Sequence, residues 1–337
     1  MRSRILGISL SLPSDILRSC KVTLRRILRS SKNPEINKLY NITSSKHVRE
    51  DEIVESSLIE QKQNARVNLK TICDKTLLKR KEDEIAASFA KLKEQNVIIK
   101  HLVANCKKSL IDKWHLMTSR MPKNIYSFCR RALIFSLPNK SNLKRWKVAN
   151  DNLCTHCQKA QTQLHVLSNS SAVLTQGRYT WRHNSVLLTI AHYLAPLVGH
   201  AINLFVDIDG YRNPAMCFRT MRPDVVLVDH DNMIVMELTV CFETNSIKSR
   251  EYKKRRYKEL KDDSLIHCNK FEIIFIEITT LGFVTNNIDG LTRFAKKNNI
   301  NYTRLISKCM ESALRASYYI FCMRNKDWVT PELLYFY

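Results

Sequence analysis

Glycine is scarce in this chain, six among 337 residues, and no internal repeat is visible. A solenoid or other repeat array is therefore not expected. No run of about 18 apolar residues occurs, which excludes a membrane-spanning helix from the expected fold. The first residues, "MRSRILGISLSLP", hold a short apolar run broken by serines, with no clear small-x-small cleavage site. They are not read as a secretory signal. Eleven cysteines are present, but they are scattered and odd in number. That argues against a disulfide framework and for a reducing compartment, the nucleus or the cytoplasm before import. Acid is the remaining shortage: 31 Asp and Glu stand against 55 Lys and Arg, a formal net charge of +24.

Hydrophobic residues make up 44% of the chain, enough for a packed core. The positive excess favours a polyanionic partner, with nucleic acid as the first candidate and an incidentally basic protein as the alternative. Residues 1–45 mix short basic amphipathic pieces with polar breaks and read as a partly disordered basic segment. Residues 46–140 read as helical: the stretch from Asp51 to Leu92 is rich in helix formers and holds neither Gly nor Pro. Its charges spread around the surface, as on an exposed helical arm. Residues 141–183 contain a compact polar stretch, "LCTHCQKAQTQLH", with metal-ligand residue types. From 184 to 325 the order is helix, three strands, a basic helix over about 246–261, a strand, then helices. The expected class is α+β or α/β, a mostly helical N-terminal half followed by a mixed-sheet core flanked by helices.

The stretch "RPDVVLVDHDNMIVMELTVCFE", Arg222 to Glu243, places one acid in each of two apolar runs, Asp224 and Glu237. Pairing Asp229 with Asn232 across a two-residue loop (His230, Asp231), or Val228 with Met233 across a four-residue loop, sets Asp224 opposite Glu237. Their Cβ atoms would then lie about 5 Å apart. A three-residue loop would break that register. Like charges facing each other on a covered sheet are costly unless a proton or cation lies between them. Hard oxygen donors suit Mg²⁺ or Mn²⁺. The alternative is two solvated acids at strand ends, or a pair bound to an arginine. The basic helix that follows, "SIKSREYKKRRYKEL", offers Lys253 and Lys254 as groups that could reach the acids, and helical periodicity does not separate them.

These residues resemble the restriction-like endonuclease of site-specific non-LTR retrotransposons. The resemblance runs from about 110 to 320 and is densest between 143 and 260. It rests on "RPDVVLVD…MIVMELTV" followed by "EYKKRRYKEL", and on "LKRWKVANDNLCTHCQKAQTQLHVLSNS" and "GRYTWRHNSVL" upstream. It implies a restriction-endonuclease-like core with Asp224 and Glu237 holding Mg²⁺ or Mn²⁺. In that family the lysine is displaced to the following helix, where the K-x-x-(K/R)-Y pattern falls on Lys253, Arg256 and Tyr257. The resemblance also implies a zinc knuckle of form C-x2-C-x7-H-x4-C. Cys154, Cys157 and His165 match it, but Ser170 stands in the fourth place, a poor zinc ligand. His156 is a strained substitute, and two buried free cysteines beside a hydrogen-bonded histidine are the alternative. Arg178, Arg182, His183, Arg222, Lys254, Arg255 and Arg256 are candidate phosphate contacts, with Trp181 in the core. The implied activity is nicking of target DNA, which exposes a 3′ hydroxyl to prime reverse transcription of the element's RNA. The aromatic-x-D-D loop of a polymerase is absent. "LKDDSL" (260–265) lacks the aromatic and reads as a helix end, so a reverse transcriptase region would be supplied elsewhere. A basic remnant that binds nucleic acid without cutting is the competing expectation.

Overall fold

Helix-forming residues dominate positions 13–145, and helices are what most of the described ones form. The computed structural model of the chain describes residues 13–63, 66–91, 97–199, 202–212, 221–230, 232–258, 270–286 and 288–334. The chain divides into two compact units, Met1–Lys93 and Glu94–Tyr337. The helical stretch expected over 46–140 is thus shared between them, and the segment over 141–183 belongs to the same unit as the sheet.

The first unit holds α1 (Pro13–Ser30), α2 (Pro34–Thr43), α3 (Val48–Gln63) and α4 (Leu69–Lys91). Residues 13–45, expected to be disordered in part, are therefore largely helical, while residues 1–12 lie outside the described residues. Nor is the stretch after 46 an exposed arm throughout: α3 and α4 pack with α1 around Val22, Ile53, Val54, Leu69 and Cys73. Apolar periodicity misses this because one buried position on each of two helices is charged. Arg25 donates to both Asp51 carboxylate oxygens at 2.5 and 2.7 Å and to the Tyr40 carbonyl at 2.7 Å. Its guanidinium lies 4.1 Å from the centre of the Tyr40 ring. A buried pair loses more by losing one member than it contributes as a whole, since the survivor is left unpaired. Asp51→Ala is expected to lower stability by about 3–5 kcal/mol. Urea unfolding checks this, and an unchanged midpoint would contradict it.

The second unit begins with α5 (Val97–Asn105), α6 (Lys108–Ser119), α7 (Lys123–Leu133) and α8 (Lys140–Arg145). Pro122 precedes α7, and the Asn139 side chain caps α8 by accepting from the Asn142 N–H at 3.0 Å. After a π-helical turn at His165–Asn169 come α9 (Ser171–Thr175) and α10 (Arg178–Leu194). Then follow β1 (Ile202–Val206), β2 (Val225–Asp229), β3 (Asn232–Cys241), α11 (Ser246–Arg256), β4 (Lys270–Thr279), α12 (Asp289–Lys297) and α13 (Tyr302–Cys322). The element order expected after 184 is therefore observed, with α10 starting six residues early and the basic helix ending at 256.

The four strands form one mixed sheet in the order β1-β2-β3-β4. β1, β2 and β3 are antiparallel neighbours; β4 runs parallel to β3, with α11 in the intervening connection. The fold is α+β. Asp229 pairs with Asn232, so the β2–β3 turn has two residues. His230 sits in it with φ +45°, as two-residue hairpin turns require, and Asp231 lies outside the described residues. Helices α10 and α11 pack on β3, and α11, α12 and α13 on β4, so the apolar residues of the central strands are covered. After β4 the chain turns at Gly282 (φ +82°), where a Cβ would lie 2.4 Å from the Met310 carbonyl oxygen; only glycine fits. Among the described residues no helix is long and apolar enough to cross a membrane.

Candidate functional site

Side chains alternate across a strand, so Val226 shares a face with Asp224, and Met233 and Val235 share one with Glu237. Val226, Met233 and Val235 form a core cluster with Tyr257, the C-cap residue that follows α11. That packing seats α11 over the face that carries the acids. A second contact fixes the helix. Arg250 donates to both carboxylate oxygens of Glu277 on β4 at 2.8 and 2.5 Å, and to Thr285 Oγ1 at 2.9 Å. Lys253, between these two anchors, is thereby aimed at the acids.

The register places Asp224, one residue before β2, opposite Glu237 on β3, and the two are joined directly. The Asp224 N–H donates to Glu237 Oε1 at 3.1 Å, and the Leu238 N–H to Asp224 Oδ2 at 2.7 Å. Lys253 Nζ donates to Glu237 Oε2 at 2.5 Å, the Leu238 carbonyl at 3.0 Å and Asp224 Oδ2 at 3.3 Å. Of the two lysines that periodicity left open, Lys253 points in and Lys254 is exposed.

His183 closes the other side. Its Nε2 lies 3.4 Å from Asp224 Oδ1 and 3.3 Å from the Leu238 carbonyl, and its Nδ1 lies 3.1 Å from Asn184 Oδ1. Oxygens thus face both ring nitrogens. Burial disfavours the imidazolium, yet Asp224 raises the His183 pKa. Burial likewise works against the Asp224 carboxylate, but His183, Lys253 and the Leu238 N–H hold its pKa well below the usual range. Glu237 goes the other way, pushed up by burial and by the Asp224 charge. The two carboxyls are thus pushed in opposite directions, as when like charges share a buried site. The structure thus sets His183 against Asp224, a contact not expected of it beside the phosphate contact.

Two expected phosphate contacts are corrected. Arg178 and Arg182 are buried. Arg178 donates to the Met323 and Lys326 carbonyls at 2.6 and 2.8 Å, and Arg182 to the Leu167 carbonyl at 2.8 Å and Ser317 Oγ at 3.2 Å. Burial lowers the pKa of both. They tie α10 to the segment after α13 and to the π-helical turn, and offer no guanidinium to solvent. Trp181 is in the core, as expected, against Ala316 and Ile320. Arg222 is exposed enough to meet a phosphate and is paired with Asp207. Lys254, Arg255 and Arg256 are exposed.

A separate cluster gathers Cys154, Cys157 and His165, whose ligand atoms lie within 4.8 Å of one another. His165 Nε2 is 3.3 Å from Cys157 Sγ. Burial lowers the His165 pKa, which keeps the ring neutral as a ligand must be. Two thiols and an imidazole so grouped make a donor set consistent with zinc. The Ser170 hydroxyl lies 3.9 Å from Cys157 Sγ and accepts from the Val173 N–H at 3.3 Å, capping α9. The serine is therefore in the fourth ligand's neighbourhood but is used as a helix cap. His156 turns its Nε2 towards Arg178, 3.4 Å away, and is not part of the cluster.

Sequence reasoning missed Glu277 and Arg250 as the anchor of α11. The available signal was an acid, Glu277, within the apolar run of β4, where it pairs with Thr239 and is buried. Compared with known families and curated proteins, the chain matches no family model and no curated sequence.

Proposed function

We propose that this chain is a divalent-metal-dependent DNA endonuclease, the restriction-like nuclease part of a site-specific non-LTR retrotransposon protein, acting in the nucleus. One observation carries the reading: three oxygens, Asp224 Oδ2, Glu237 Oε2 and the Leu238 carbonyl, converge on a single cation, the Lys253 ammonium, in a largely buried site. The ammonium marks where positive charge is wanted. The same donor set, two carboxylates and a carbonyl, fits Mg²⁺ or Mn²⁺. Such an ion would supply charge to stabilise the phosphoryl oxygens during hydrolysis.

The chain's own residues do the rest. Asp224 and Glu237 are held in register by the hairpin and by each other's main-chain contacts. Lys253, released from the carboxylates, is placed to orient the attacking water or to neutralise charge on the phosphate. His183 holds the second oxygen of Asp224. Arg222, Lys254, Arg255 and Arg256 supply phosphate contacts at the surface. The nick would free a 3′ hydroxyl to prime reverse transcription of element RNA by a polymerase region supplied elsewhere. Purified protein is expected to nick supercoiled plasmid with Mg²⁺, and the Asp224→Ala and Glu237→Ala proteins are not. Nicking that survives in both variants would overturn the assignment. A second reading follows from the same contacts. Lys253 and His183 neutralise the two acids so fully that the site takes no metal, leaving a basic protein that binds nucleic acid without cutting it. Salt-dependent binding with no metal-dependent nicking would favour it.

For the Cys154, Cys157 and His165 cluster we propose structural zinc. Metal analysis is expected to find zinc bound to the wild type and lost in Cys154→Ser. Ser170→Cys adds a fourth ligand, the site's third thiolate. The lost cap costs roughly 1 kcal/mol, whereas a ligand's share of structural zinc binding is about 3 kcal/mol. Zinc affinity is therefore expected to rise by tenfold or more, read by competition with a chelator. Unchanged affinity would contradict a site that lacks only its fourth ligand.

A further inference from the structure

The helix that aims Lys253 at the acids has a second functional flank. Successive residues of an α-helix are about 100° apart. Turning in one sense from Lys253, Arg256 lies about 60° away, Tyr252 about 100°, Lys248 about 140° and Arg255 about 160°. All four side chains are exposed, and Tyr252, at 58%, is among the most exposed large side chains of this unit. Among the described residues no acid forms an ion pair with Lys248, Arg255 or Arg256. The flank thus presents an exposed aromatic ring set among three cations that no described acid pairs, with Arg255 also donating to the Glu251 carbonyl at 3.4 Å and Arg256 lying 5.9 Å from the Tyr257 ring centre, and it begins beside the lysine of the acid cluster.

Neither feature is explained by folding. Tyr257, five residues on, is the tyrosine that packs in the core. Tyr252 sits amid charge on the strongly basic helix α11, with more than half of its surface open to solvent. Free cations along a helix follow a phosphate backbone. An aromatic ring between them matches what unpaired nucleotides need, a face on which a base stacks while the flanking phosphates are neutralised. A paired base in a duplex keeps its faces against its neighbours and cannot use such a ring. We propose that this flank of α11 binds an unpaired stretch of nucleic acid next to the cut site, with one base stacked on Tyr252 and its phosphates held by Lys248, Arg255 and Arg256. The inference rests on the nuclease reading and narrows its substrate to DNA whose strand is opened beside the scissile bond.

The test is fluorescence anisotropy with the full chain in EDTA, using a labelled oligo-dT strand and a labelled blunt duplex. Tyr252→Ala is expected to weaken oligo-dT binding about tenfold, the range for one stacked base, and to leave duplex binding nearly unchanged. Tyr252→Phe is expected to keep wild-type affinity for both. Lys248→Gln is expected to weaken both probes and reduce the salt dependence by about one ion. Equal loss on both probes, no loss on either, or a Phe variant as weak as Ala would overturn the proposal. Because no divalent metal is present, the result is independent of cutting. A selective Tyr252 effect without nicking keeps this surface and sinks the nuclease; nicking without that effect does the reverse.

Discussion

Lys253→Ala is expected to lower plasmid nicking by about 10²–10³, the effect of deleting one group that stabilises transition-state charge. It is also expected to destabilise the metal-free protein by about 3–5 kcal/mol. The two effects share a cause. Lys253 is the cation that touches both carboxylates, and without it Asp224 and Glu237 keep their main-chain N–H donors but, among the described residues, no cation beyond His183 on the far oxygen of Asp224. The variant should regain stability when Mn²⁺ is added, more than the wild type does, because the ion no longer competes with an ammonium and binds only the folded chain. Thermal unfolding with and without Mn²⁺ reads both parts. A variant as stable as the wild type, and indifferent to metal, would mean that the acid pair holds no functional charge deficit.

Glu237→Gln is expected to remove nicking, by a factor of about 10³ or more given several kcal/mol of metal-derived stabilisation. Its stability should change in the opposite sense to that of Lys253→Ala. Glu237 carries a pKa raised by burial and by Asp224. A carboxyl whose folded pKa exceeds its unfolded value binds more protons folded than unfolded, so the stability of the metal-free protein falls as pH rises through that window. The folded value is about 7, so the fall runs from the ordinary glutamate range to about neutral pH. His183, whose pKa is also raised, adds stability below its unfolded pKa and loses it as pH rises, in the same direction. The amide variant removes the glutamate's part of that slope. Denaturant midpoints across this range check it: a slope as steep in Glu237→Gln as in the wild type would remove Glu237 as its source.

The hairpin was legible in the sequence as two apolar runs around a polar tip, where a two- or four-residue loop sets Asp224 opposite Glu237; the structure has the two-residue loop, and a three-residue one, which the sequence left open, would have broken the pairing. The choice between Lys253 and Lys254 was not, because it depends on how α11 is rotated over the sheet. Tyr257 in the core and Arg250 on Glu277 set that rotation, and both contacts are remote in sequence from the strands they touch. The arginines of "GRYTWRH" were misread for a related reason. Arg178 and Arg182 lie one turn apart on the face of α10 that turns inward, while His183, a single residue on, swings about 100° away to reach Asp224. A charged residue on a buried helix face looks like surface until its carbonyl partners are known, and for Arg178 those partners are about 150 residues away. The same holds for Arg25 and Asp51 in the first unit.

The most direct measurement is the anomalous scattering of Mn²⁺ in crystals of the wild-type protein. The account predicts a peak coordinated by Asp224, Glu237 and the Leu238 carbonyl, with the Lys253 ammonium withdrawn from the carboxylates. Manganese bound only elsewhere, with Lys253 still bridging both acids at saturating metal, would contradict it.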